Sequence, residues 1–531
     1  MNRLFNDKLH RLLPVVALML MVVVLMRACE GNKKQELALN DMKWSKLLLI
    51  LDQIEKNYVD TIDYKDIVEK TIPSIMLNLD PHSVYLPPED LAVADESLEG
   101  NFSGIGIQFN VPNDTVVVIN VIPGGPSERA GLLSGDKIIN VDGVSIAGVK
   151  MNQDSIVKRL KGPRGSVVNV DIMRDTKELV PFSIKRDMVP VNSVDISFMM
   201  NDTLGYIKLS KFTRTSYPEF AEATGKLLKQ GLNTLIFDLR DNAGGYLDQA
   251  LMLSNEFLQK GELIVYMEGE HRPREEFHAD GRGKLKDVRL FVLVNESSAS
   301  SSEIFAGAMQ DNDRGIIVGR RSYGKGLVQE PIYFTDKSGI RLTVARFYTP
   351  TGRCIQKPYS QNYQYDILER YEHGEMMVAD SIKRNDSLKF VTLGGKVVYG
   401  GGGIIPDIFV PLDTVGVTDY LIEVNRKSMQ VKYSAKLAEM YKNELRQVKE
   451  FGDLEKLVGR IDIENGFIDF AAENGMRKPS AEEWNKSKFF IVTQVKGLFG
   501  RYSVLDDLAF YPYILGVDNV IDRVKEEMQI Q

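Results

Sequence analysis

The sequence predicts a multidomain α/β protein, and three observations lead there. Short apolar runs alternate with amphipathic stretches from 188 to 412, a glycine-punctuated, strand-rich stretch fills 100–187, and charged segments of helical spacing flank both. Strand–helix alternation argues helices layered on a sheet. An apolar fraction of 44% with 26% charged residues is that of a folded globular chain, and the length suffices for roughly three or four domains.

The N-terminus reads as an address. Arg3, Lys8 and Arg11 precede the apolar stretch Leu12 to Met26, which is short for a membrane span of about 20 residues but suits a secretory leader. Residues 1–30 are therefore expected to be a signal peptide or membrane anchor. Ala28-Cys29 offers a lipid-attachment site, with an uncleaved anchor as the rival. Either places the protein in the bacterial periplasm, tethered to a membrane. Cys354 would be left single, so no structural disulfide is expected.

From 31 to 99 the chain reads as a small helical domain. Trp44, Leu47, Leu48, Ile50, Leu51 and Ile54 recur at near-helical spacing, and the apolar face is expected to serve a core or a homodimer contact. His82, in Asp80-Pro81-His82-Ser83, is expected to be structural. No Ser-His-Asp triad and no metal-ligand spacing is apparent, so neither metal nor cofactor is expected.

In the core, Leu204 to Leu209, Thr234 to Leu239 and Leu290 to Val294 read as strands. Pro218 to Lys229, Leu247 to Leu258 and Glu303 to Gln310 read as helices. Polar stretches at Glu268–Lys286 and Tyr359–Asp386 are expected to be surface insertions, and Gly400–Gly403 a flexible turn. The 413–531 region reads as helical, with apolar positions at Leu437, Met440, Tyr441, Leu445 and Phe467 to Phe470. It is expected to dimerise or to shape access to the site.

The chemistry lies in two segments, Ser297 to Glu303 and Tyr323 to Gln329. A serine hydroxyl needs a base, and a lysine amine serves once burial draws its pKa from about 10.4 towards 7 or 8. On composition Ser297, Ser298, Ser300, Ser301 and Ser302 all compete for the nucleophile's role; Ser300, paired with Lys325, follows an apolar strand and opens a helix, where backbone N–H groups meet an oxyanion. Lys325 sits between Gly324 and Gly326, which allow close packing. Gln329 offers the amine a carbonyl oxygen without a charge that would raise its pKa.

Ser298-Ala299-Ser300-Ser301-Ser302-Glu303-Ile304, Phe237 to Gly245 (Phe-Asp-Leu-Arg-Asp-Asn-Ala-Gly-Gly) and Tyr323 to Gln329 (Tyr-Gly-Lys-Gly-Leu-Val-Gln) resemble the motifs of the C-terminal processing peptidases, or tail-specific proteases, of peptidase family S41. The resemblance runs from about Leu79 to Pro411. It implies a ClpP/crotonase-like core, with Ser300 as nucleophile, Lys325 as base and Gln329 orienting it. It also implies an oxyanion hole from a glycine N–H, Gly244 by preference, and the Ser301 N–H. The family more often has alanine at 301 and proline at 243; neither difference removes a reactive group.

Phe102 to Phe109, Val116 to Val121, Pro123 to Leu132 and Gly135 to Gly143 resemble a PDZ domain over 100–187. That likeness implies that Gly104, Ile105, Gly106 and Ile107 capture a terminal carboxylate while the adjoining strand pairs with an extended peptide. The partners implied are proteins or peptides with free C-termini, and an adaptor lipoprotein that delivers them is left open.

The function expected is a serine endopeptidase with a Ser-Lys-Gln site. One alternative is a catalytically inert periplasmic PDZ scaffold, but Ser300, Lys325 and Gln329 are all present. A phosphate-binding loop at Gly319–Lys325 fails at its next position, where Gly326 replaces Ser or Thr. With 66 basic and 73 acidic residues the net charge is −7, which gives no reason to expect nucleic-acid binding.

Overall fold

The computed structural model describes residues 45–111, 114–174, 178–360 and 362–530. The leader and Cys29 lie outside them. Among the described residues no helix is long and apolar enough to cross a membrane. The chain divides into two compact units, up to Ile75 and from Met76 onward. In the first, Ser45–Asn57 and the start of Tyr64–Leu77 are helical, and Leu48, Leu49 and Val59 are exposed.

The second unit is built around a six-stranded sheet. Its order is Val194–Met199, Leu204–Leu209, Thr234–Asp238, Arg289–Val294, Ile316–Gly319 and Ile408–Phe409. All neighbours pair in parallel except the first two. Parallel strands covered on both faces read as continuous apolar runs, as Thr234–Leu239 and Leu290–Val294 do.

Side chains alternate along each strand, so one face gathers Leu235, Phe237, Leu290 and Val292 against Phe220, Leu253, Phe305 and Met309 of three helices. Those helices are Ser216–Lys229, Leu247–Asn255 and Ser301–Asp311. The other face gathers Tyr206, Ile236, Phe291 and Leu293 against Val520, Ile521 and Val524 of the helix Asn519–Ile530. The end of the chain thus completes the core.

A second sheet joins Val84–Leu86, Gly339–Tyr348, Leu263–Gly269 and Arg272–His278, with Leu327–Tyr333 paired to Gly339–Tyr348. The segment around Val84, grouped by sequence with the N-terminal helices, therefore belongs to the core: Val84 pairs with Arg341 and Leu86 with Gly339. Leu327–Tyr333 is a strand, whereas a phosphate-binding loop requires a helix after its lysine, so that reading is set aside.

Two expectations for the core are corrected. Tyr359–Asp386 is only partly a surface insertion, since Tyr363, Arg370 and Glu375 are buried and Arg321 pairs with Glu375 at 2.6 Å. Gly400–Gly403 is a packed turn: a Cβ on Gly403 would lie 2.7 Å from the Ser322 carbonyl oxygen, and the Gly403 N–H donates to Ile355 O at 2.8 Å.

The 100–187 module is a second six-stranded sheet, ordered Ile107–Asn110, Val116–Val121, Lys137–Val141, Val167–Met173 and Leu179–Lys185, with Val144–Ser145 paired to Lys137–Val141. Asn101–Gly104 pairs antiparallel with Asp187–Pro190, bringing the module's two ends together. Among the described residues after 412 there are eight helices, from Asp419–Arg426 to Asn519–Ile530. Most pack on a separate core around Tyr420, Tyr433, Phe467, Ile491 and Phe499.

Candidate active site

The Arg289–Val294 strand delivers the serine loop to the end of the sheet, where it meets the Asp238–Gly245 turn. Ser298 Oγ donates to Leu239 O at 2.8 Å, Ser302 Oγ to Asn242 O at 2.9 Å and Ser301 Oγ to Gly245 O at 2.9 Å. Three hydroxyls thus lash the loop to the turn. Among the described residues the Ser300 hydroxyl has no such bond to the turn, and Ser297 is exposed. Ser300 itself holds φ +56° and ψ −114°, a strained backbone for a residue with a Cβ, of the kind kept at functional sites.

Glu303, wholly buried, ties the serine to the lysine. Its Oε2 accepts the Ser300 N–H and the Lys325 N–H, each at 2.9 Å. Its Oε1 accepts the Gly324 N–H at 2.7 Å and the Ser322 hydroxyl at 2.5 Å. Burial pushes its carboxyl up, and the four hydrogen bonds hold it back. The reading of the sequence gave Glu303 no role beyond opening a helix, although Ser-x-x-Glu ahead of an apolar run is a capping pattern.

Lys325 Nζ donates to Gln329 Oε1 at 2.8 Å. Gln329 Nε2 donates to His82 O at 2.5 Å, so the Asp80–Ser83 turn holds the glutamine. Burial pushes the Lys325 ammonium down, helped by the charge of Arg341 and opposed by Glu303 and Asp80. Burial and the Lys325 charge also depress His82, to about 4. The His82 ring nitrogen Nε2 hydrogen-bonds the Tyr363 hydroxyl at 2.6 Å. That contact joins the Asp80–Ser83 turn to the segment that carries Tyr363. Tyr363 stands 281 residues away from His82 in sequence, beyond any local pattern.

The glycine turn abuts the serine. Gly244 has φ +93° and Gly245 φ +151°, and a Cβ on Gly244 would fall 2.8 Å from both Ser300 Cβ and Ser301 N. Only glycine allows that approach. The Gly244 N–H donates to Asn242 Oδ1 at 2.8 Å. Among the described residues the N–H groups of Gly245 and Ser301 have no hydrogen-bond partner, so Gly244 is the glycine whose donor is already engaged.

In the upstream module Gly104 ends one strand and Ile107 begins the next. Between them Ile105 is buried and Gly106 has φ +76°. Ser127 N–H donates to Ile105 O at 2.9 Å and Ile122 N–H to Gly106 O at 3.1 Å. The loop is fixed by its carbonyls, and Ile107–Asn110 is an edge strand able to accept another strand. Among the described residues no group of His, Cys, Asp or Glu is placed to hold a metal ion.

Comparison with known proteins bears on this arrangement. Residues 203–367 match peptidase family S41 and residues 103–184 match a PDZ domain. The carboxy-terminal-processing protease of Bartonella bacilliformis is 34% identical over 313 residues, covering 58% of this chain and 71% of that protein. The chain belongs to peptidase family S41. It is a serine peptidase with a PDZ domain ahead of the peptidase domain and a helical region after it. The carboxy-terminal processing protease CtpA of Bacillus subtilis is 33% identical over 318 residues, 60% of this chain and 67% of that one. Among solved structures, a photosystem II D1 C-terminal processing protease aligns with 73% of this chain and 91% of that chain, at 27% identity and a TM-score of 0.38.

Proposed function

We propose that this S41 peptidase takes a protein by its free C-terminus and cuts it by acyl-enzyme chemistry at Ser300. The observation that carries the reading is the lysine's setting: Lys325 is half-buried, its amine meets the uncharged Gln329 oxygen, and Glu303 fastens its backbone to that of Ser300. In this reading the neutral amine takes the Ser300 Oγ proton as the oxygen adds to the scissile carbonyl. The Ser301 N–H and a glycine-turn N–H receive the oxyanion. Gly244 serves only by releasing Asn242, whereas Gly245 is free to donate. The lysine then protonates the leaving amine, and the acyl-enzyme is hydrolysed by water that the same amine deprotonates.

Substrate selection is assigned to the PDZ domain. The Gly104–Ile107 loop receives the tail carboxylate and the Ile107–Asn110 edge pairs with the tail. The peptidase core is read as layered in the ClpP/crotonase manner. Residues 1–30 are read as a signal peptide or anchor that tethers the enzyme in the periplasm, on the strength of Arg3, Lys8, Arg11 and the apolar run Leu12 to Met26. A homodimer contact is assigned to the exposed Leu48 and Leu49 of the N-terminal unit, and an adaptor lipoprotein to substrate delivery.

The deciding experiment is degradation of an unstructured protein with a free apolar C-terminal tail, beside a copy with an amidated tail. Chains lacking residues 1–30 are used, parent and Ser300→Ala. The parent is expected to cut the free tail faster, and Ser300→Ala to bind it without cutting. Equal cutting by both chains would remove Ser300 from the mechanism. Equal rates on the two tails would remove the carboxylate loop.

A further inference from the structure

The Asp238–Gly245 turn is braced by a residue far outside the stretch matched by the S41 family. Asp518 lies just ahead of the helix Asn519–Ile530 and divides its carboxylate between two tasks. Oδ1 accepts the Val520 N–H at 2.9 Å and the Ile521 N–H at 3.3 Å, which caps the helix. Oδ2 lies 2.7 Å from Arg240 Nη1, and the side chains of Arg240 and Asp518 are 16% and 14% exposed. Arg240 reaches on to Asp238, with Nη2 2.6 Å from Oδ2 and Nε 3.0 Å from Oδ1. Asp238 is fully buried and also accepts the Tyr206 hydroxyl at 2.7 Å and the Arg240 N–H at 2.9 Å.

The turn beyond Arg240 needs such bracing. Asp241, Gly244 and Gly245 all have positive φ, at 65°, 93° and 151°, and backbone of this kind persists only where its surroundings over-determine it. A buried ion pair is poor evidence for stability, because apolar side chains of similar volume often pack as well. What the Asp518–Arg240–Asp238 chain adds is direction: it fixes the start of the turn that ends against Ser300 and Ser301.

We propose that Asp518 is a positioning residue for peptide hydrolysis, holding through Arg240 the turn whose glycine N–H receives the oxyanion. The C-terminal helical region is then part of the active-site scaffold. This rests on the oxyanion assignment above. A misplacement of about 1 Å in such a site costs on the order of a hundredfold in rate.

The test compares the full parent chain with Asp518→Asn, Asp518→Glu and Val520→Ala. Asparagine keeps an oxygen for the cap and turns an uncharged amide towards Arg240. Val520→Ala thins the apolar contact of the same helix, where Val520 is 2% exposed, and leaves Arg240 paired. On a tailed, unstructured protein Asp518→Asn is expected to lower kcat about tenfold. Its KM should stay within about twofold and its unfolding midpoint close to that of the parent, and Asp518→Glu should recover part of kcat. Val520→Ala should lower the midpoint and keep kcat. Parental kcat in Asp518→Asn would overturn the proposal, as would kcat losses in both helix variants that simply follow their midpoints. A parent no more active than Ser300→Ala would instead remove the serine mechanism on which it stands.

Discussion

Lys325 gives its side-chain amine to the Gln329 carbonyl at 2.8 Å, and that oxygen carries no formal charge. A lysine that must work as a base needs an acceptor to aim it, yet a carboxylate in that place would favour the ammonium. Glutamine separates aiming from charging. Its own amide is held by the His82 carbonyl, so the oxygen cannot be exchanged for the nitrogen without breaking both contacts.

Gln329→Glu should therefore move the activity to higher pH. In the proposed mechanism the free amine is the active form, so kcat/KM rises with pH through the Lys325 pKa, and a carboxylate at 329 raises that pKa. At pH 7 the variant should lose at least about tenfold, the effect of one pKa unit, and regain much of it by about pH 9. A kcat/KM profile recorded over that range decides the matter; a uniform loss at every pH would mean that Gln329 aims the amine without tuning it.

Lys325→Met should trade activity for stability. Burial lowers the folded pKa of Lys325 below its ordinary value, so between the folded pKa and about 10.4 the unfolded chain binds more protons. The contribution of Lys325 to stability accordingly rises with pH through that window and is a cost below it. Methionine fills similar space without the amine. It should stabilise the peptidase core by about 1 kcal/mol at pH 7 and flatten the rise towards pH 10, as read by urea unfolding at the two pH values.

Replacing the serine should distinguish chemistry from strain. Ser300→Ala and Ser300→Gly both remove the hydroxyl and should both abolish turnover. Only glycine relaxes the φ of +56°, and a non-glycine residue in so sparsely populated a region costs about 1–3 kcal/mol. Ser300→Gly should thus be the more stable of the two by about 1 kcal/mol in the same unfolding experiment. Equal stabilities would mean that the loop relaxes around alanine.

The core strands and helices were legible because burial on both faces of a parallel sheet leaves plain apolar runs, and Ser300 and Lys325 because their neighbours form recognisable motifs. What joins the two was not legible. Glu303 looks like a helix-opening glutamate, and nothing local shows that its second oxygen reaches the Gly324 N–H across the site. His82 and Tyr363 meet only through the fold, and Tyr363 sits in a polar stretch that reads as surface because most of its neighbours are exposed. The strand around Val84 is too short to announce itself, and Asp518 reads as an ordinary helix cap since its other oxygen serves a residue 278 positions earlier. The bond from the Gly244 N–H to Asn242 was not legible for a related reason: such an Asx contact depends on backbone angles that composition does not carry.

Glu303→Gln is the severest conservative change at this site. The carboxylate accepts four hydrogen bonds, two on each oxygen. An amide of the same shape keeps one acceptor oxygen and presents N–H groups to donors on its other side. If the amide nitrogen faces Ser300 and Lys325, their two N–H groups lose their acceptor. If it faces Gly324 and Ser322, the Gly324 N–H does, and the Ser322 hydroxyl must turn away. A buried donor left unpaired costs about 1–3 kcal/mol, so the core should lose roughly 2–4 kcal/mol in urea unfolding. Because the bonds run to both the serine and the lysine segments, kcat should fall more than a hundredfold while tail binding by the PDZ domain, whose loop touches none of these groups, stays at the parental level. A variant that lost stability yet kept kcat would show that the spacing of Ser300 and Lys325 is fixed elsewhere, by the Ser298, Ser301 and Ser302 bonds to the neighbouring turn.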